Sequence, residues 1–237
     1  MDHYSDGDLK RLSDEREGWH PRDILRWAME TFSPRLGMAT AFGAEGCAIL
    51  DMLAGLRDET GRDLYLFNLD TGYQFPETLA LRDRFREKYG LTIHLEGARQ
   101  TVEELEAENG GPVWKTDTDR CCFLRKVAPL KEVMDRNLFD AWITAIRRDQ
   151  TPQRAAAGIV ERDRKFGIVK VNPLANWTKG DVWKHLLAHD VPYNPLHDQG
   201  YPSIGCWPCT QAVRPGEDDR AGRWSSFAKL ECGLHAK

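Results

Sequence analysis

"LGMATAFGAEGCAILDMLAGL", residues 36–56, reads as one structural unit. Residues 36–41 are a short apolar run that predicts a buried strand, and residues 42–46, "FGAEG", predict a turn. Behind the turn, Ile49, Leu50, Leu53 and Leu56 recur at the spacing of one helix face. Strand, glycine turn and helix in that order are the building block of an α/β fold.

Outward from this unit the pattern recurs. Residues 64–69, "LYLFNL", predict a second strand, "DTGYQ" a turn, and "FPETLALRDRFREKYG" a helix with Pro76 early and Gly90 at its end. A third strand is expected at 91–95, then a polar stretch over 96–120 and a helix through "CFLRKVAPLKEVM". "FDAWITAI" (139–146) and "FGIVKVNPL" (166–174) predict two more strands, and Thr178 with Asp181 predicts a capped helix start. Upstream, Pro21 opens a helix whose Ile24, Leu25, Ala28 and Phe32 share a face and which stops near Ser33-Pro34. The expected fold is α/β, a mostly parallel sheet with helices on both faces. Such sheets bind ligands beyond the carboxyl ends of their strands, so the turns at 42–46, 70–74 and 147–154 are expected at one crevice. One domain is expected over 1–237: a polar lead-in (1–20), an α/β core (21–190), a loop-rich segment (191–224) and a tail (225–237).

Composition narrows the class. Of 237 residues, 41% are apolar and 30% charged, with 8 Trp, which excludes a low-complexity chain. No apolar run reaches membrane-spanning length, and the polar opening lacks the apolar core of a signal peptide. A cytoplasmic protein is expected, with no membrane partner. A net charge of −4 argues against nucleic acid as a partner and leaves room for a local anion site. Six cysteines in that compartment read as thiols, metal ligands or catalytic groups rather than disulfides.

Three features point to chemistry. Phe42, Gly43, Ala44 and Gly46 in the first turn offer backbone N–H groups at a helix start, where phosphate is well placed, although plain connections look the same. Glu45 would repel an anion there if it pointed inward. Asp70, at the end of the second strand, either accepts from a nucleoside or caps its own turn. Arg147, Arg148 and Arg154 in "RRDQTPQR" suit phosphate or sulfate through paired hydrogen bonds. Cys206 and Cys209 are a Cys-x-x-Cys pair, and Cys121 and Cys122 are adjacent. Neighbouring cysteines diverge, which disfavours a single tetrahedral zinc, whereas a [4Fe–4S] cluster offers separate iron corners. Lys126, one helical turn past Cys122, could bring a cation to cluster and substrate. Cys47 reads as a core side chain. Cys232, in "ECGLH" beside His235, is a thiol that nearby cations would activate.

"FGAEG", "LDTGYQFPET", "CCFLRKVAPL", "RRDQTPQR", "YPSIGCWPCT", "RAGRW" and "ECGLH" occur in one order from residue 36 to the end. In this the chain resembles the assimilatory adenylyl-sulfate (APS) reductases, the iron–sulfur branch of the phosphoadenylyl-sulfate (PAPS) reductase family. The resemblance implies an adenine nucleotide α-hydrolase-like fold with a mobile tail, in which Ala41 replaces the usual leading serine of the phosphate loop. It implies a [4Fe–4S] cluster on Cys121, Cys122, Cys206 and Cys209, and Cys232 as the nucleophile that takes sulfur from APS. Thioredoxin or a similar dithiol would then release sulfite. Substrate contacts are expected from Phe42, Gly43, Ala44, Gly46, Asp70, Lys126, Arg147, Arg148, Arg220, Arg223 and His235. PAPS reduction or dual use is the nearest alternative. An iron–sulfur tRNA sulfurtransferase and a non-catalytic iron–sulfur sensor stand further off, and the sequence leaves a homo-oligomer open.

Overall fold

The computed structural model describes residues 4–225 and Lys229. In chain order the elements are α1 (Asp6–Glu15), α2 (Pro21–Phe32), β1 (Leu36–Ala39), α3 (Ala44–Thr60), β2 (Tyr65–Asp70), α4 (Pro76–Tyr89) and β3 (His94–Gly97). There follow α5 (Val102–Asn109), α6 (Val113–Thr116), α7 (Thr118–Cys122), a π-helical turn (Phe123–Val127), α8 (Ala128–Asn137), β4 (Ala141–Ile143), β5 (Val160–Asp163), β6 (Ile168–Val171) and α9 (Lys179–Ala188).

The six strands form one sheet in the order β3-β2-β1-β4-β6-β5, parallel throughout except for β5, which runs antiparallel to β6. The chain leaves β1 toward β2 and β3 on one side and later fills β4 and β6 on the other. The order therefore reverses beside β1, where open α/β sheets form their ligand crevice. Side chains alternate between faces. Leu36 and Met38 of β1, with Ala141 and Ile143 of β4, enter the larger core together with Ile24, Ile49, Leu53, Val182 and Leu186 from α2, α3 and α9. Phe67 of β2 and Trp142 of β4 point the other way and pack on Leu130, Val133 and Met134 of α8. A third cluster, Tyr73, Leu105, Val113 and Cys121, seats α5 to α7 against the turn after β2.

Local chemistry sets the helix ends. Thr178 and Asp181 form the expected capping box at α9, and Gly61 and Gly90 end α3 and α4 in the left-handed region. Cys47 is fully buried, as its apolar neighbours predict. Other expectations shift. The third strand lies at 94–97 rather than 91–95, because Leu91 and Ile93 fill the core while the paired residues form a polar edge. The polar lead-in contains α1, started by a Ser5–Asp8 capping box, and its Ser13 Oγ accepts from Val160 N–H of β5 at 3.3 Å. Edge strand β5 is absent from the sequence reading because Glu161, Arg162 and Asp163 mask its pattern. No helix among the described residues is long and apolar enough to cross a membrane.

Gly37, paired with both Tyr65 and Trp142, sits at the centre of the sheet beneath the buried Phe139 ring. A Cβ there would stand 2.9 to 3.1 Å from three ring atoms. Gly37→Ala is expected to cost about 1–3 kcal/mol through overpacking, read as a lower urea midpoint at unchanged m. An unchanged midpoint would mean the ring gives way freely.

Candidate active site

The turns after β1, β2 and β4 line one cleft of about 510 Å³, together with residues 202–206 and 218–220 and Arg223 and Trp224. At its floor α3 begins at Gly43, which offers no side-chain cap, so the first-turn N–H groups of a 17-residue helix face the cleft. Gly46 permits that approach, because a Cβ there would lie 2.9 Å from Thr40 Oγ1. Gly43, Ala44 and Gly46 line the cleft as expected. Phe42 does not turn its side chain to it: the ring is buried against Phe85 and the residue takes a φ of 54°.

Glu45 does point inward, and Arg147 neutralises it. Arg147 Nε donates to Glu45 Oε1 at 3.0 Å and Nη1 to Asp149 Oδ1 at 2.5 Å, with the guanidinium 6% exposed. Gln150 ties this turn together, donating to Glu45 at 3.1 Å and accepting from Arg147 N–H and Arg154 Nη1. Arg147 and Arg154 line the cleft. Arg148, expected beside them, does not. Its guanidinium is turned to the opposite side, where it pairs with Glu17 after α1 and bonds Asn176 and the Ala157 carbonyl. The adjacent position faces away, and a carboxylate there holds it.

Asp70 caps its own turn, accepting from Gly72 N–H at 2.8 Å. The turn reaches the crevice as expected, but through Thr71 and Gln74, which line the cleft. So does His197, whose Nδ1 donates to the Tyr201 carbonyl at 2.8 Å. Its Nε2 and Gln74 Oε1 are buried and have no hydrogen-bond partner among the described residues, so each is an acceptor open to a donor. Burial holds the His197 pKa below its ordinary value, which keeps that acceptor neutral near neutral pH. In the sequence His197 stands in "LHDQG", directly ahead of the "YPSIGCWPCT" motif, and no periodicity marks it.

The two cysteine pairs, 84 residues or more apart in sequence, line one recess next to the cleft, with Lys126, Arg223 and Trp224 in both walls. Gln74 and Cys206 form an antiparallel bridge, Trp207 N–H donates to the Tyr73 carbonyl at 2.8 Å, and Thr71 Oγ1 lies 3.3 Å from Cys206 Sγ. The π-helical turn after Cys122 carries Arg125, whose Nε donates to the Thr71 carbonyl at 2.7 Å, and Lys126, which faces the sulfurs. Burial, then the neighbouring Cys122, Cys206 and Cys209, push the Cys121 thiol up to about 12, against Lys126. Cys209 is raised the same way. Such thiols ionise on binding metal rather than in its absence. Among the described residues no group of three His, Cys, Asp or Glu side chains could hold a single metal ion. Four thiols around one recess suit a group with one metal corner per sulfur, which holds them further apart.

Arg220 and Arg223 reach the cleft from the segment beyond Cys209. The Arg223 guanidinium bonds Ser203 Oγ and the Ile204 carbonyl, each at 3.3 Å, stacks 4.4 Å from the Trp224 ring centroid, and fits only because Gly205 has no Cβ. Cys232 and His235 lie outside the described residues. Lys229, three positions before Cys232, donates to the Thr118 carbonyl and pairs with Asp119, beside Cys121 and Cys122.

An adenosine 5'-phosphosulfate reductase of Salinibacter ruber is 44% identical over 228 residues, 96% of this chain and 88% of that protein. The structure of a phosphoadenylyl-sulfate reductase from Candida auris in a phosphate complex superposes with a TM-score of 0.78 at 32% identity, over 89% of this chain and 98% of that one. Candida glabrata FMN adenylyltransferase, at 14% identity and a TM-score of 0.56 over 89% of this chain and 69% of that one, shares the fold, as expected for an adenine nucleotide α-hydrolase-like sheet. The phosphoadenosine phosphosulfate reductase domain model matches residues 35–212, and the chain belongs to that family.

Proposed function

We propose that this enzyme reduces adenosine 5'-phosphosulfate to sulfite and AMP in the assimilation of sulfate toward cysteine. The observation that carries the reading is the shared wall: Lys126 and Arg223 border both the nucleotide cleft and the four-cysteine recess. A sulfate bound there meets cations on one side. Close relatives named for APS reduction support the substrate.

The Cys232 thiolate attacks the sulfur of APS. A sulfur–sulfur bond forms, the bond from sulfur to the phosphate oxygen breaks, and AMP leaves with that electron pair. Thiolate and sulfate repel until cations neutralise the site, and Lys126, Arg220 and Arg223 supply that charge. The leaving phosphate is a weak base and needs no strong general acid. The first-turn N–H groups of α3 hold the nucleotide end, and Gln74 Oε1 and His197 Nε2 accept from its amino or hydroxyl groups. A thioredoxin-type dithiol then attacks Cys232 Sγ, sulfite departs, and the second thiol closes the dithiol to a disulfide, so two electrons take sulfur from +6 to +4.

Cys121, Cys122, Cys206 and Cys209 would hold a [4Fe–4S] cluster. When bound, it supplies fixed charge and a rigid anchor beside the sulfate site. Lys126 and Arg223 face both and orient the sulfate.

Incubation of anaerobically purified protein with APS and no reductant is expected to add one SO₃ to the intact mass, and Cys232→Ser to abolish it. Absence of the adduct on the unaltered chain would overturn the proposed reaction. The same preparation should be brown, with roughly four iron and four sulfide per chain; colourless protein carrying one zinc would exclude the cluster. Arg223→Ala should lower kcat/KM for APS about 100-fold, the usual effect of removing one donor to developing charge. Arg148→Ala, by contrast, should leave turnover within about twofold and act on stability through the lost Glu17 pair.

A further inference from the structure

Beyond the Cys-x-x-Cys pair the chain doubles back as a hairpin. Thr210 and Arg223 form an antiparallel bridge, Gln211 N–H donates to the Gly222 carbonyl at 2.8 Å, and Trp224 N–H to the Cys209 carbonyl at 3.0 Å. The two sides meet closely at Gly222, where a Cβ would stand 2.0 Å from the Gln211 carbonyl oxygen. The tip is held by its own turns. Arg220 N–H donates to Asp218 Oδ1 at 2.8 Å, Ala221 N–H to the Asp218 carbonyl at 2.9 Å, and Arg223 N–H to the Arg220 carbonyl at 2.8 Å. Asp218, Asp219 and Arg220 of this tip line the cleft.

Across the cleft stands Lys179, the first residue of α9. Its Nζ lies 2.7 and 2.6 Å from the two carboxylate oxygens of Asp219, forty positions further along the chain. Its backbone N–H donates to Asp149 Oδ2 at 3.3 Å, Asp149 pairs with Arg147, and Arg147 with Glu45. Charged contacts thus run from the start of α3, through the turn after β4, to α9 and over to the hairpin tip. A half-exposed ion pair contributes little in isolation. This one closes a line of contacts and spans a binding cleft, so its effect lies in geometry. Asp219 and Arg220 are adjacent in a turn whose backbone is hydrogen-bonded at Arg220, Ala221 and Arg223, so pinning the Asp219 carboxylate to α9 restricts where Arg220 stands.

We propose that Lys179 and Asp219 are positioning residues, a clasp that holds Arg220 over the cleft for capture of the anionic nucleotide. The proposal rests on the reading of the cleft as an APS site. Neither side chain needs to touch the reacting sulfur.

The test is a double-mutant cycle on single-turnover adduct formation, followed by intact mass across APS concentrations. Lys179→Gln and Asp219→Asn should each raise the half-saturating APS concentration about two- to fivefold, the range open to such a pair. The double variant should be no worse than either single one, Lys179→Arg should restore capture, and the limiting rate and iron content should stay within twofold. A merely structural role would lower iron content or limiting rate and leave the half-saturating APS concentration unmoved. Additive effects, or single variants indistinguishable from the unaltered enzyme, would overturn the clasp. If the unaltered enzyme forms no adduct, the APS reading falls, and the same cycle read by AMP binding in equilibrium dialysis then decides the clasp.

Discussion

The site depends on a backbone ladder: β1 is hydrogen-bonded in parallel on both sides, to β2 and to β4. Parallel pairing forces every connection to cross back over a sheet face, so the three strands end at one edge with their following turns together. Gly37, with no Cβ under the Phe139 ring, lets β1 occupy that central place while α8 closes one face. Everything chemical is then added at the exposed edge, on turns whose backbones are already fixed.

Charge is arranged to match. The α3 end of the cleft holds Arg147 between Glu45 and Asp149, whose carboxylates offset the cost of burying its charge. The other end borders the cysteine recess and carries Lys126 and Arg223. Beside those cations, burial and the neighbouring sulfurs raise the Cys121 and Cys209 thiols.

Much of this was legible in the amino-acid order. The glycine turn after residue 41, the period of α3 and α4, the Thr178–Asp181 cap and the arginine turn after β4 are local signals, because they follow from contacts within a few residues. The pairing of two adjacent cysteines with a distant Cys-x-x-Cys could be read from thiol chemistry alone. Edge strands could not. β3 and β5 have one partner each and a solvated face, so their pattern is diluted by Glu96, Glu161 and Asp163 and their limits depend on β2 and β6.

Fold class and family follow from residue type and short-range spacing, which any stretch of the chain carries locally. Direction follows from packing. Arg147 and Arg148 are neighbours of identical type, yet one is held at the cleft by Glu45 and Asp149 and the other is drawn to Glu17 beyond α1, because each guanidinium goes where the fold places a carboxylate. Phe42 sits in the glycine turn after β1 and still sends its ring into the core, where Phe85 receives it. Gln74 and His197 acquire their open acceptors only because burial removes water from atoms whose other hydrogen bonds are already made. Orientation and burial arise from contacts between residues far apart in the chain, and no local pattern records them.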